Sequence, residues 1–179
     1  MNYIFIIALT FCVAVASTAF NLEKKNGWWR NLLFVCALAA GQGLLYWLGS
    51  LLGGTFMYKF AGFSKVIVLL ICFMIAFRMV MDTLKIKAGK NLFLIDKPKQ
   101  LIFLSIALGI NAFLAGLIAG EEFLPLFGKI TPIYLIGTSL VWGLIAIGTK
   151  FSQTKLLINS LLNIAAALAI LTTGIVAII

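Results

Sequence analysis

Long apolar runs broken by brief polar stretches set the pattern of this chain. A bilayer core is crossed by a helix of about 20 apolar residues. Read in that window, the runs predict six spans, at 3–22, 31–53, 64–86, 100–119, 131–149 and 155–178. The fold class that follows is all-α: a polytopic membrane protein with one transmembrane bundle. The first run begins at the initiator Met with no basic stretch before it, so it reads as a permanent span rather than a cleaved signal. Between the spans lie short polar connectors. The first carries Glu23, Lys24, Lys25 and Arg30 beside a Trp28-Trp29 pair suited to a membrane interface. The longest is a basic loop at about 87–99, which separates half one (1–86) from half two (100–179).

Composition agrees with that reading. Of 179 residues, 63% are hydrophobic and 11% charged, with a mean hydropathy of +1.15. A soluble domain carries roughly 25% charged residues, so a soluble fold is excluded. The net charge of +9 does not indicate nucleic acid, because the basic residues are sparse and sit between apolar runs. The chain has no His, which removes His-based proton relays, His-ligated metals and Ser-His-Asp triads. Cys12, Cys36 and Cys72 lie in separate apolar runs without paired spacing, as small apolar residues do. There is no phosphate-binding loop and no catalytic constellation, so neither an enzyme nor a bound cofactor is expected.

Lys and Arg predict the orientation. Connectors one, three and five hold ten of them, among them Lys85, Lys90, Lys97, Lys150 and Lys155, against three (Lys59, Lys65, Lys129) on connectors two and four. The positive-inside bias puts the first set in the cytoplasm and both termini outside, in an inner (plasma) membrane. The net charge is then a basic face against anionic lipid.

The halves share a pattern. Ala14-Val15-Ala16-Ser17-Thr18-Ala19-Phe20 in the first span is matched by Ala107-Leu108-Gly109-Ile110-Asn111-Ala112-Phe113 in the fourth, each with a polar residue before Ala-Phe. Spans two and five both hold small residues around a Trp (Trp47, Trp142). Three spans per half is an odd number, so matching halves must be inverted in the membrane. Two inverted three-helix repeats are a transporter architecture, with substrate held near the midplane.

At these residues the chain resembles the MntP family of manganese efflux pumps, within the LysE superfamily of small exporters. The family's first-span Ser-x-Asp-Ala-Phe lies over Ala16-Ser17-Thr18-Ala19-Phe20. Its fourth-span Ser-x-Asp-Ala-x-Ala-x-Gly is similar to Ile110-Asn111-Ala112-Phe113-Leu114-Ala115-Gly116. Gln42, ahead of Gly49 and Gly53, matches an acidic or amide residue of the second span. Arg78-Met79-Val80-Met81-Asp82 is similar to the end of the third, and a sixth-span Glu falls near Asn163. The resemblance implies a small exporter of a divalent cation, Mn²⁺, working by alternating access.

This chain departs from the family at the ligands themselves. Thr18 and Asn111 stand in place of the paired aspartates, Gln42 replaces an acid of some members, and Asn163 replaces the Glu. Mn²⁺ is a hard cation served by carboxylate, carbonyl and water oxygens. Moving even a monovalent ion into low dielectric costs on the order of 20 kcal/mol in the idealised limit, and more as the square of the charge. Neutral dipoles offset only part of that, so either the substrate has changed or transport has been lost.

The candidate ion pathway is Thr18 and Asn111 near the midplane, joined by Gln42, Asn163, Ser17, Asn21 and Asn159. The same residues can equally serve as hydrogen-bonding contacts between helices. Arg78 and Asp82 share a helix face and form either an anchor pair near the cytoplasmic end or a gate. Thr18, Asn111 and Asp82 are the metal-ligand candidates. Glu121 and Glu122 end the fourth span as a solvated helix end or a cation exit. Glycines such as Gly41, Gly43, Gly49, Gly53, Gly137, Gly143 and Gly148 are expected at close helix contacts. The alternatives to cation export are a transport-inactive homologue serving as a structural subunit, or an exporter of another small polar solute. A membrane-protein partner or a homo-oligomer is compatible with each.

Overall fold

The computed structural model describes residues 2–23, 28–87, 98–119, 132–148 and 153–177. They form α1 (Asn2–Glu23), α2 (Trp28–Lys59), α3 (Ser64–Lys87), α4 (Pro98–Ala119), α5 (Pro132–Gly148) and α6 (Gln153–Val176). All six predicted runs are helical. α2 extends beyond its predicted limits at both ends, so Trp28 and Trp29 belong to its first turn rather than to a connector. A single 3₁₀ turn (Ala61–Phe63) joins α2 to α3. Pro98 and Pro132 open α4 and α5, where a missing N–H costs nothing. The basic loop at 88–97 and the connector holding Glu121, Glu122 and Lys129 lie outside the described residues.

Four stretches are long and apolar enough to cross a membrane: Trp28–Thr55, Ser64–Leu84, Lys99–Ala119 and Leu157–Val176. The apolar parts of α1 and α5 (Ile4–Thr18 and Pro132–Gly148) are shorter. The burial pattern suits lipid. Large apolar side chains such as Leu33, Leu51, Phe73, Phe77, Phe103 and Ile133 face outward, while Thr10, Ser17, Gln42, Thr83, Asn111 and Ser139 are buried inside.

Contacts between helices give their directions. Gly41 meets Ser105, Gly49 meets Phe113 and Gly53 meets Leu117, in the same order along both helices, so α2 and α4 run parallel. Val35 meets Gly143 and Gly43 meets Ile136, in opposite order, so α2 and α5 are antiparallel. Phe11 packs edge-on against Trp142, while Ile7 shares a groove with Ile133 and Thr138, which makes α1 parallel to α5. Asn163 bonds to Met79, whereas Gly174 meets Cys72, so α3 and α6 are antiparallel. Thr18 meets Asn159, whereas Ala166 packs beside Phe11 and Ala14, so α1 opposes α6. The odd-numbered helices therefore point one way and the even-numbered ones the other.

The most extensive interface is α2 on α4. Lipid tails are as apolar as leucine, so burying leucines gives no drive toward association here; close backbone approach and van der Waals contact supply it. A Cβ on Gly49 would stand 2.2 Å from the Phe113 carbonyl oxygen, and one on Gly116 would stand 2.3 Å from that of Tyr46. Backbone cannot step aside as a side chain can. Gly49→Ala is expected to destabilise the bundle by about 2–3 kcal/mol. Gly137 has nothing within 4 Å of its would-be Cβ, so Gly137→Ala should be neutral or stabilising by up to about 1 kcal/mol. Thermal unfolding of the two variants in the same detergent checks the contrast.

Candidate functional site

The interior polar groups sit at successive depths. At mid-depth, Gln42 joins three helices. The Ser139 hydroxyl on α5 donates to Gln42 Oε1 at 2.7 Å, and Gln42 Nε2 donates to Cys12 Sγ on α1 at 3.1 Å. The Cys12 thiol in turn donates to the Leu9 carbonyl of its own helix. Gln42 and Ser139 are fully buried, with both ends of the amide in use. Among the sequence candidates, Gln42 is thus the one most fully committed to joining helices. Ser139 was missed by sequence reading, and so was the use of Cys12 as a hydrogen-bonding group.

Arg78 lies at nearly the same depth. Its Nη2 donates to the Ala107 carbonyl of α4, and its Nε is 3.9 Å from Asp82 Oδ2. Arg78 is nine residues before the end of α3, and Ala107 is nine after the start of α4. At 1.5 Å per residue that is about 14 Å into the bundle. The guanidinium therefore turns inward across the α3–α4 contact instead of snorkelling to the membrane edge, because a main-chain carbonyl lies within its reach.

A second group joins α1, α3 and α6. Asn163 Nδ2 donates to the Met79 carbonyl at 3.2 Å and to Thr83 Oγ1 at 2.9 Å, while the Thr83 hydroxyl donates to the same carbonyl. Asn159 Nδ2 donates to Thr18 Oγ1 at 3.4 Å, and the Thr18 hydroxyl donates to the Ala14 carbonyl. Ser17, next to Thr18, and Ser160, next to Asn159, are buried. The side chain of Asn21 lies outside the described residues. A cleft of about 180 Å³, lined by Phe11, Ala14, Trp142 and Leu162 among others, opens beside Asn159.

Thr18 and Asn111, both buried, are not brought together. Cys12 is level with Gln42, and the α2–α4 register sets Gln42 level with about Ile106. Thr18 lies six residues past Cys12 in one direction, and Asn111 five past Ile106 in the other. The two are about 16 Å apart along the bundle axis. A single midplane patch containing both is therefore corrected to two positions on opposite sides of mid-depth. Because α1 and α4 run in opposite directions, residues matched in sequence fall at different depths.

Four buried oxygens at these levels have no hydrogen-bond partner among the described residues: Ser17 Oγ, Asn111 Oδ1, Ser160 Oγ and Asn163 Oδ1. In hydrocarbon such atoms are costly unless something binds them. No cluster of three or more His, Cys, Asp or Glu side chains exists among the described residues. What chemistry there is belongs to neutral oxygens, with one carboxylate (Asp82) beside one guanidinium.

No family model, curated protein or solved structure matches the chain.

The Ser139–Gln42–Cys12 chain makes a measurable prediction. Ser139→Ala and Gln42→Leu should each destabilise the bundle, and the double variant should lose less than the sum. The coupling energy between them should be about 0.6–1.7 kcal/mol, the range for hydrogen bonds between membrane helices. A double-mutant cycle on thermal unfolding in detergent measures it.

Proposed function

We propose that this chain is a six-span exporter of a small metal cation, built as two inverted three-helix repeats and similar in kind to manganese efflux pumps. The alternating helix directions support six crossings. Exchanging α1–α3 with α4–α6 turns the α2–α4 contact into the α1–α5 contact and leaves α2–α5 and α3–α6 in place, and all four of these pairs are packed. The Lys and Arg bias supports a cytoplasmic location for connectors one, three and five, with both termini outside an inner membrane.

The observation that carries the reading is the set of unpartnered oxygens buried on both sides of mid-depth. Export by alternating access needs groups that meet the ion first from one face and then from the other. In the proposed orientation Ser17, Ser160 and Asn163 lie toward the cytoplasm, level with Asp82, and Asn111 lies toward the outside, with the Arg78 guanidinium between them. Asp82 is the best placed carrier if export is coupled to protons. A second reading, a transport-inactive structural subunit, is favoured by one feature: Gln42 is spent on holding three helices together.

Cell metal content separates the two. Cells expressing the protein under Mn²⁺ challenge should hold several-fold less Mn²⁺ than cells without it, and a panel of other divalent ions defines selectivity. Thr18→Asp combined with Asn111→Asp should strengthen export further, lowering the Mn²⁺ concentration for half-maximal flux about tenfold, equivalent to 1.4 kcal/mol. Unchanged metal content with and without the protein, and in the double variant, would favour the subunit.

A further inference from the structure

We propose that Ser17, Ser160 and Asn163 form a binding site for a monovalent alkali cation, of which sodium is the probe, between α1, α3 and α6. These residues are 0%, 1% and 2% exposed, and each carries an oxygen without a partner. They are neighbours through one contact. Asn159 reaches Thr18, which brings α1 and α6 together beside Ser17 and Ser160, and Asn163 lies one turn after Asn159 on α6.

The orientation of the Asn163 amide is fixed by chemistry. The Met79 carbonyl can only accept, and the Thr83 hydroxyl has given its hydrogen to that carbonyl, so both must face the NH₂ group. Oδ1 is thereby turned away from those acceptors on α3. The two serines depart from a local habit. Thr10, Thr18, Thr83 and Thr173 all donate to carbonyls of their own helices, which is the usual outlet for a hydroxyl in a buried helix. Ser17 and Ser160 do not, which leaves their oxygens open to a ligand.

Charge selects the class of ion. The three oxygens are neutral, and the nearby carboxylate of Asp82 is balanced by Arg78. A site without net charge offsets the dehydration of a monovalent ion far better than that of a divalent one, whose cost rises with the square of its charge. A few neutral oxygen dipoles can replace the hydration shell of an alkali cation, as backbone carbonyls do in channels and transporters. The proposal concerns binding and holds whether or not the chain exports manganese. In an exporter, such a site would carry an ion whose inward gradient drives another outward.

The experiment is thermal unfolding of the purified full chain in detergent, in sodium chloride against choline chloride at equal ionic strength. Sodium is expected to raise the midpoint saturably by about 3 °C or more, as a ligand bound only by the folded state does. Ser17→Ala combined with Ser160→Ala removes two unbonded hydroxyls, so it should leave the choline midpoint unchanged or higher while abolishing the sodium shift. Equal midpoints in sodium and choline, as expected if the oxygens hold only water, would overturn the site. So would a sodium shift that survives in the serine double variant. Either result leaves the Mn²⁺ content measurement standing on its own.

Discussion

Hydrocarbon offers no partner to a polar atom, and that constraint organises the interior of this bundle. Gln42, Ser139 and Cys12 meet it among themselves, as do Asn163, Thr83 and the Met79 carbonyl. These bonds fix the relative height of α1, α2 and α5 in one set and of α3 and α6 in the other. The same constraint makes the exceptions informative. An oxygen without a partner among the described residues, at Ser17, Ser160, Asn163 or Asn111, is costly in such surroundings.

Close backbone contact makes such precision possible. Side chains separating α2 and α4 would let the helices slide, because one apolar side chain packs on another in many registers. Gly41, Gly49, Gly53 and Gly116 bring main chain against main chain or a small side chain, where a shift of one residue meets a Cβ. Ser105 adds a bond from its hydroxyl to the Ala37 carbonyl across the same interface. Register on this face in turn sets the level of Ala107, and with it the place where Arg78 can bond.

The helices were legible because apolar length is a coarse signal, and the sequence windows match all six. The parallel α2–α4 contact was only half legible: the glycines announced close packing but not its partner. Gly137 and Gly148, equally apolar in setting, have no such neighbour. Among polar residues the difficulty is sharper. Ser139 is buried and bonded to Gln42, while adjacent Thr138 is half-buried and bonded only to its own helix. Helices that are apolar all round carry no period to distinguish the two. The likeness between Ala16–Phe20 and Gly109–Phe113 was visible, but shared depth does not follow from shared sequence when the two helices run in opposite directions.

Arg78 links the site to the frame. By α-helix geometry the Ala107 carbonyl also accepts the backbone N–H of Asn111, so the guanidinium bonds an atom in the turn that carries one of the open oxygens. Any motion of α3 relative to α4 must break this bond, and any motion that keeps it carries the two helices along together. Breaking it inside hydrocarbon would leave a charge with only Asp82 to hold it, at 3.9 Å. Motion is therefore cheapest when α3 and α4, one from each half, move together, and the Asn163 bonds to Met79 and Thr83 hold α6 to the same pair.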